Sequence, residues 1–251
     1  MSFPINLDLK GLFEGQDKAA GLNIERSELL RKALSFLSET IRLNLHFLGS
    51  QRFESAEKAT AIRTLAVDSI SHLVVAVRVG LWGAIPQSIG VLRSALEGAS
   101  VLASVVFYER YQTAIAEINK KLDQIQFKAA LRSLGPLGDD IERLWGRMSD
   151  FGAHASAKRI RHTTYIFEGD EYDRLGAAID PEGAAGSIYF AMHVSMLVME
   201  SLHKAAEQDG IAFPSDAEYS QSVERFNELC EEFKARLSFE NEQSKNGDST
   251  N

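Results

Sequence analysis

Cysteine is almost absent from this chain, whose 251 residues include only Cys230. A single cysteine cannot form a disulfide within the chain, and it cannot build a cysteine-rich zinc site. Cys230 also falls in an amphipathic helical pattern, which favours a small packed helix residue over a catalytic nucleophile. A disulfide scaffold is therefore excluded.

An excess of basic residues is also missing. The 35 acidic residues outnumber the 27 lysines and arginines, and the formal charge is −8. Broad, non-specific binding of nucleic acid usually needs a basic surface, so this charge balance argues against it.

Long uninterrupted apolar runs are lacking as well. The most apolar part of the chain contains Arg78, Pro86, Arg93 and Glu97. No stretch of about 18 uncharged apolar residues therefore remains to span a bilayer. The first 13 residues lack a basic start followed by an apolar run, which a secretory signal would have. We therefore expect a cytoplasmic protein with no membrane partner.

What the chain does contain is helical periodicity, with apolar residues recurring at three- and four-residue steps. The pattern predicts an all-α fold, a bundle of six to seven helices. The predicted helices are Ile24–Leu48, Glu54–Gly80, Pro86 to about Tyr111, Asp139 to about Gly152, Tyr189–Gln208 and Asp216 to about Phe239.

The chain divides into three parts in this interpretation. Residues 1–24 form an N-terminal segment, 25–239 a single helical-bundle domain, and 240–251 a polar, disordered tail. Within the domain, residues of about 155–186 are predicted to form an irregular loop because they hold four glycines and Pro181. The β-branched run 163–167 adds a predicted short strand there.

Arg93 and Glu97 are the only charges in the apolar stretch from Leu81 to Tyr108. Residues four apart lie on one helix face, so we expect the two side chains to touch. Burying an ion pair adds little net stability compared with apolar packing. Two interpretations remain open: a structural pair that ties neighbouring helices together, or an arginine that binds a ligand while Glu97 holds it in place.

Asp68 and His72 form a second pair at a four-residue spacing. A carboxylate one turn before a histidine can fix the tautomer of the imidazole and raise its basicity. We treat the pair as a supporting group for a site, with a histidine satisfied at the edge of the bundle as the alternative.

Arg147 and His154 carry the most specific chemical pattern. Seven residues at about 100° each bring the two positions within about 20° of one helix face, two turns apart. An arginine beside an imidazole suits cleavage of a phosphodiester, because the guanidinium neutralises the phosphate while the imidazole transfers a proton.

With this spacing the chain resembles the HEPN superfamily, whose ribonucleases carry an arginine, four to six residues, and then a histidine. The apolar helix with Arg93-x-x-x-Glu97 resembles helices of bacterial HEPN-like proteins, and the likeness extends over about Ile62–Leu202. The resemblance implies a homodimer in which two Arg147–His154 motifs meet. Family roles range from toxin-like RNA cleavage to non-catalytic binding of nucleotides or proteins.

Just beyond His154 lies the one basic cluster of the sequence, which includes Lys158, Arg159 and Arg161. If the cluster adjoins His154, these side chains can contact phosphate; the alternative is a solvated loop. No metal or cofactor is predicted. His193 and His203 stand ten residues apart, about 80° from a shared helix face, and no Walker loop or GxSxG motif occurs.

Three functions therefore remain open. The first is a metal-independent endoribonuclease of a toxin or defence type that uses Arg147 and His154. The second is a non-catalytic helical module that binds a nucleotide or small effector. The third is a protein-interaction bundle in which Arg93–Glu97 and Asp68–His72 only specify packing.

Overall fold

The computed structural model describes residues 9–50, 53, 56–107, 134–148, 179–211, 213 and 216–247. These residues form seven α-helices and no strand, which confirms the predicted all-α bundle. The helices are α1 Leu9–Arg26, α2 Glu28–Ser50, α3 Ala56–Leu81, α4 Ile85–Phe107, α5 Pro136–Met148, α6 Pro181–Gln208 and α7 Asp216–Gly247.

Helix α6 lies at the centre of the bundle and contacts α1, α2, α3, α4 and α7. Helices α3 and α4 form an antiparallel hairpin beside it, and α7 packs against α2 and α6. Helix α5 packs on the outside of α4. One continuous apolar core joins the helices, and its largest fully buried side chains include Phe36, Phe47, Ile62, Leu92 and Ile188.

The prediction of one helix from Ile24 to Leu48 is wrong, because the helix is interrupted at Ser27. Helix α1 ends at Arg26 and α2 begins at Glu28. The Ser27 hydroxyl accepts a hydrogen bond from the Leu30 amide at 3.2 Å, as an N-cap residue does. The apolar pattern continues across the break, so periodicity alone does not reveal it.

The irregular region predicted for residues 155–186 ends earlier than expected. Asp180 caps α6, its Oδ1 accepting a hydrogen bond from the Gly183 amide at 2.8 Å, and Pro181 follows in the first turn. This cap offsets the poor helix propensity of Gly183 and Gly186. Residues 181–186 are therefore helical. The rest of that region, including the predicted strand 163–167, lies outside the described residues apart from 179 and 180.

Two further helix boundaries differ from the prediction. Helix α5 begins at Pro136 rather than Asp139, since proline is well suited to a first helical turn. Helix α7 continues to Gly247 rather than ending near Phe239. Residues 240–247, which composition assigns to a disordered tail, are therefore helical.

Close packing of α3, α4 and α6 depends on a glycine. A Cβ atom at Gly80 would clash with the Ser187 hydroxyl of α6 and lie 3.0 Å from Ser88 Oγ of α4. Ser88 Oγ donates to the Ala76 carbonyl at 2.8 Å. The three helices approach so closely at this point that residue 80 has no space for a side chain larger than the hydrogen atom of glycine.

Buried polar contacts tie other helices to α6. Thr40 of α2 and Ser195 of α6 share a hydrogen bond of 2.8 Å. Lys58, at the start of α3, forms an ion pair with Asp209, just after the end of α6, and both side chains are largely buried. These contacts fix the axial positions of α2 and α3 against the central helix.

By length and composition, three helices could cross a membrane: α4, α6 and the Lys58–Leu81 part of α3. Most of the apolar window is buried inside the bundle for α4 and α6, but only 33% for α3. Helix α3 exposes Val67, Val74 and Val75. The cytoplasmic location and the lack of a membrane partner stay predictions.

Candidate functional site

Helix α5 buries Ile141 and Met148 in the core. Three further side chains attach it to α4: Arg93, Glu97 and Trp145, which we call the α4–α5 clamp. The guanidinium carbon of Arg93 lies 3.9 Å from the centroid of the Trp145 ring. Trp145 Nε1 donates to Glu97 Oε1 at 3.2 Å, and the same oxygen lies 3.5 Å from Arg93 Nε. Cation, carboxylate and indole thus contact one another pairwise.

The clamp lies at the edge of the bundle, which corrects the expectation of an ion pair inside a core helix. The Arg93 side chain is 26% exposed and that of Glu97 46% exposed. Helix α4 buries its apolar face against α3 and α6, and α5 covers only part of its other side. The predicted contact of Arg93 with Glu97 is present. Whether the pair also binds a ligand stays a prediction.

Arg147 lies in the last turn of α5 and is exposed. It follows Trp145 by two residues, or about 200° around the helix, so the two side chains leave α5 on opposite sides. The charge of Arg147 acts on Tyr189 and His193 of α6. Arg147 makes no hydrogen bond or ion pair within the described part of the chain.

His154, the other half of the predicted catalytic pair, lies outside the described residues, as do Lys158, Arg159 and Arg161. The proximity of Arg147 to His154, and that of the basic cluster to both, therefore stay predictions.

The Asp68–His72 pair forms on the exposed side of α3. His72 Nδ1 lies 3.0 Å from the Asp68 backbone carbonyl and 3.6 Å from Asp68 Oδ2. Both side chains are substantially exposed. The imidazole is satisfied by its own helix, which agrees with the alternative of a histidine at the edge of the bundle.

A histidine that the sequence interpretation set aside, His193 of α6, packs against α7. The His193 ring lies 4.5 Å from that of Tyr189 and 5.0 Å from that of Phe226. Burial is the main cause that lowers the pKa of His193, and the charge of Arg147 lowers it further. Tyr189 in turn shares a hydrogen bond with Cys230, whose pKa is raised by burial to about 11.

A second polar group lies near the junction of α6 and α7. His203 stacks on Tyr219 with a centroid distance of 3.9 Å, and its Nδ1 lies 3.9 Å from Glu207 Oε1. Burial raises the pKa of Glu200, while the nearby His203 lowers it. The Glu200-x-x-His203 spacing was overlooked in the sequence. Even so, among the described residues no three His, Cys, Asp or Glu side chains are arranged to hold a metal ion.

No protein-family model, curated protein or solved structure matches this chain. The resemblance to the HEPN superfamily therefore stays a prediction based on its motif.

Proposed function

We propose that this chain is an HEPN-like, metal-independent endoribonuclease in which Arg147 binds the phosphate and His154 transfers the proton. The observation that supports the proposal most is the state of Arg147. Among the described residues this exposed arginine has no ion pair, and its helix is attached to the bundle two residues earlier, at Trp145. An unpaired guanidinium on a fixed helix end is suited to binding a phosphate.

The proposed reaction uses the ribose 2′-hydroxyl as the nucleophile. The His154 imidazole removes the proton of that hydroxyl, the 2′ oxygen bonds to phosphorus, and the bond from phosphorus to the 5′ oxygen breaks. The leaving 5′ oxygen takes a proton from water. The products are a 2′,3′-cyclic phosphate and a 5′-hydroxyl. Arg147 stabilises the negative charge that accumulates on the phosphate oxygens, and no metal takes part.

The α4–α5 clamp has a positioning role in this proposal. The guanidinium of Arg93 is occupied by the Trp145 ring and the Glu97 carboxylate, and Trp145 Nε1 is bonded to Glu97. These contacts help to hold the last turn of α5, which carries Arg147. Misplacement of a catalytic group by about 1 Å can cost roughly 100-fold in rate.

The alternative of a nucleotide or effector module is favoured by a different observation. Arg93 and Glu97 keep 26% and 46% of their side-chain surface exposed, so a small anion could reach the guanidinium. In that case nucleotides should raise the melting temperature of the protein, and Arg93→Ala should abolish the rise while Arg147→Ala leaves it unchanged. The third hypothesis, a protein-interaction bundle, predicts that the protein does not cleave RNA and that nucleotides do not change its melting temperature.

The proposal includes a homodimer, which the family resemblance implies. Light scattering at micromolar concentration measures it directly, with a mass near twice the 27.8 kDa of the chain expected. A monomer at all concentrations would remove the dimer from the proposal.

RNA cleavage in the presence of EDTA tests the proposed activity. Wild-type protein should cut an unstructured RNA, and Arg147→Ala and His154→Ala should each abolish cleavage without lowering the melting temperature. Arg143→Ala is the matched control, because Arg143 is an exposed arginine on the same helix and is already paired with Asp140. Its cleavage rate should equal that of wild type. Equal loss of activity in this control would mean that general charge matters, rather than Arg147.

A further inference from the structure

Helix α7 rests on the bundle through a narrow inner face. Among residues 217–236, only four side chains are buried: Ser222, Leu229, Cys230 and Phe233. By contrast, α6 buries 15 of its 28 residues, and α1, α2, α3 and α4 all pack against it. Helices α1 to α6 therefore form most of their shared core without α7.

Three aromatic side chains of α7 attach it to α6. Tyr219, Phe226 and Phe233 follow one another at intervals of seven residues, so they lie close to one line along the helix. Their ring centroids lie 3.9, 5.0 and 5.0 Å from those of His203, His193 and Tyr189 of α6, in that order. A slide of α7 by seven residues would bring one aromatic ring to the place of the next. The aromatic contacts alone therefore do not fix the axial position of α7.

Charged side chains attach the same helix to α2. Along α2 the charges that face α7 alternate in sign: positive, negative and positive. Each meets the opposite charge, at distances of 2.6, 2.6 and 3.7 Å, in the pairs Lys32–Glu232, Glu39–Arg225 and Arg42–Glu218. Arg225 also donates a hydrogen bond to Ser35 Oγ at 3.0 Å. The two helices therefore carry complementary alternating patterns of charge.

A slide of α7 by one seven-residue repeat would turn these attractions into repulsions. In either direction the slide brings two like-charged pairs together: Glu39–Glu232 with Arg42–Arg225, or Lys32–Arg225 with Glu39–Glu218. Like charges that face each other destabilise helix contacts, and natural helix pairs use them to reject wrong pairings. The charges therefore select one register among those that the aromatic contacts permit.

These ion pairs are suited to selecting a register more than to adding strength. Each of the six side chains is between 34% and 62% exposed, and an exposed ion pair contributes little to stability. A helix with few buried side chains and with exposed polar contacts is the kind of segment that opens locally while the rest of a protein stays folded.

We propose that α7 is a detachable strap that leaves the α2–α6 surface as a unit while α1 to α6 stay folded, and that the alternating charges of α2 return it to a single register. Opening of the strap uncovers the α6 surface around Tyr189 and His193, which α7 contacts through Phe233 and Phe226. Arg147 and His154 take no part in this opening, so the strap and RNA cleavage are tested separately.

Cys230 reports the opening of the strap in the full-length protein. It is the sole cysteine of the chain. It lies on the inner face of α7 and is 7% exposed, so iodoacetamide reaches it only when α7 leaves. Its alkylation rate at pH 8 is measured by mass spectrometry, and hydrogen exchange of the α4 and α6 amides is measured in the same buffer. Both rates are expressed as protection relative to the chain unfolded in urea.

The strap requires that Cys230 be less protected than the centre of the bundle. We expect its protection to be at least about 10-fold lower than that of the slowest amides in α4 and α6. Equal protection would overturn the strap, since Cys230 would then react only after global unfolding.

Charge reversal on α2 tests the choice of register. Lys32→Glu removes one attraction and adds a repulsion from Glu232, so we expect alkylation of Cys230 to become about 3–10-fold faster. Adding Glu232→Lys restores the attraction and should bring the rate back close to that of the wild type. Adding Glu218→Lys instead gives the same net charge but a second like-charged contact, because position 218 faces Arg42. This mismatched variant should be alkylated faster still than Lys32→Glu.

Arg143→Glu is the control for net charge. It makes the same change of charge on α5, where Arg143 pairs with Asp140 of its own helix, so the alkylation rate should equal that of the wild type. All variants are compared at a temperature at which circular dichroism shows them folded. The charge-selected register is overturned if Arg143→Glu accelerates alkylation as much as Lys32→Glu does. It is also overturned if the matched and mismatched double variants are alkylated at the same rate.

Discussion

The guanidinium carbon of Arg93 lies 3.9 Å from the centroid of the Trp145 ring, although 52 positions separate the two residues in the sequence. This contact, together with the bond from Trp145 Nε1 to Glu97 Oε1, attaches α5 to the bundle. An arginine stacked on an indole contributes about 0.5–1 kcal/mol when partly exposed. The value of the contact is then mainly positional, because it helps to fix the helix that carries Arg147 in its last turn.

Breaking the clamp should loosen α5 more than it destabilises the protein. We expect Trp145→Leu to lower the free energy of unfolding by about 1–2 kcal/mol, since it removes the stacking and one hydrogen bond to a charged group. A double-mutant cycle with Arg93→Ala, followed by urea denaturation, should give a coupling energy of about 0.5–1 kcal/mol. A coupling energy of zero would show that the stacking does not contribute.

The same substitution has a functional consequence. If the clamp positions Arg147, RNA cleavage by Trp145→Leu should fall about 10-fold or more, at a temperature where the variant remains folded. Val223→Ala on α7, far along the chain from the clamp, is a control for a modest loss of stability and should keep its activity. Unchanged cleavage by Trp145→Leu would remove the positioning role.

Asn44 is fully buried, and neither its amide nitrogen nor its amide oxygen has a hydrogen-bond partner among the residues that the structure describes. A buried unpaired polar group costs about 1–3 kcal/mol. We therefore expect Asn44→Leu, which nearly conserves volume, to raise the free energy of unfolding by about 1–2 kcal/mol in urea denaturation.

Asn23 is the matched control for this prediction. It is equally buried, but its Nδ2 donates to the Leu81 carbonyl at the end of α3 at 2.9 Å. Asn23→Leu should lower the free energy of unfolding by about 1 kcal/mol or more, because the carbonyl loses its partner. If both substitutions destabilise the protein equally, the Asn44 amide is satisfied in solution and the prediction is wrong.

Gly80 and Gly90 should respond oppositely to alanine. A methyl group at Gly80 would clash with Ser187 Oγ and crowd Ser88 Oγ, whereas nothing lies within 4 Å of a Cβ at Gly90. We expect Gly80→Ala to lower the free energy of unfolding by about 1–3 kcal/mol through overpacking. Gly90→Ala should raise it by about 0.5–1 kcal/mol, because alanine is the better helix residue. Calorimetry of the two variants checks both signs, and a stabilising Gly80→Ala would contradict the packing described.

Cys230 should react slowly with alkylating reagents in the folded protein. Burial raises the pKa of its thiol from 9.0 to about 11, and only the thiolate reacts. The fraction of thiolate at pH 8 is then about 100-fold lower than in the unfolded chain. Mass spectrometry after iodoacetamide treatment should show the rate still rising above pH 9 in the native protein. Equal rates in buffer and in urea would contradict this environment.

Local signals in the sequence predicted the helices well and their ends less well. The apolar pattern from Ile62 to Val77 correctly predicts part of α3, because its apolar side chains pack in the core or against it. The break at Ser27 was missed, since the apolar pattern runs through it and only the cap hydrogen bond marks it. The predicted start of α6 is too late, because the two glycines at 183 and 186 favour a loop while the cap at Asp180 allows the helix to begin before them.

In the candidate site, sequence spacing predicts contacts within one helix but not contacts between helices. The spacing of Arg93 and Glu97 predicts their contact because both lie on one helix. Trp145 could not be added from spacing, since it reaches Glu97 from a different helix. His193 was dismissed as a metal ligand for lack of a partner on its own helix. Its ring neighbour Phe226 comes from α7, and only the packing of the bundle brings the two together.

The most direct test of the proposed function is the chemistry of the RNA ends. Purified protein is incubated with an unstructured RNA in EDTA, and the fragments are analysed by mass spectrometry. We expect fragments with a 2′,3′-cyclic phosphate and a 5′-hydroxyl from the wild type, and no fragments from His154→Ala at an unchanged melting temperature. Intact RNA with the wild-type protein, or the same fragments with His154→Ala, would contradict the proposal that Arg147 and His154 cleave RNA.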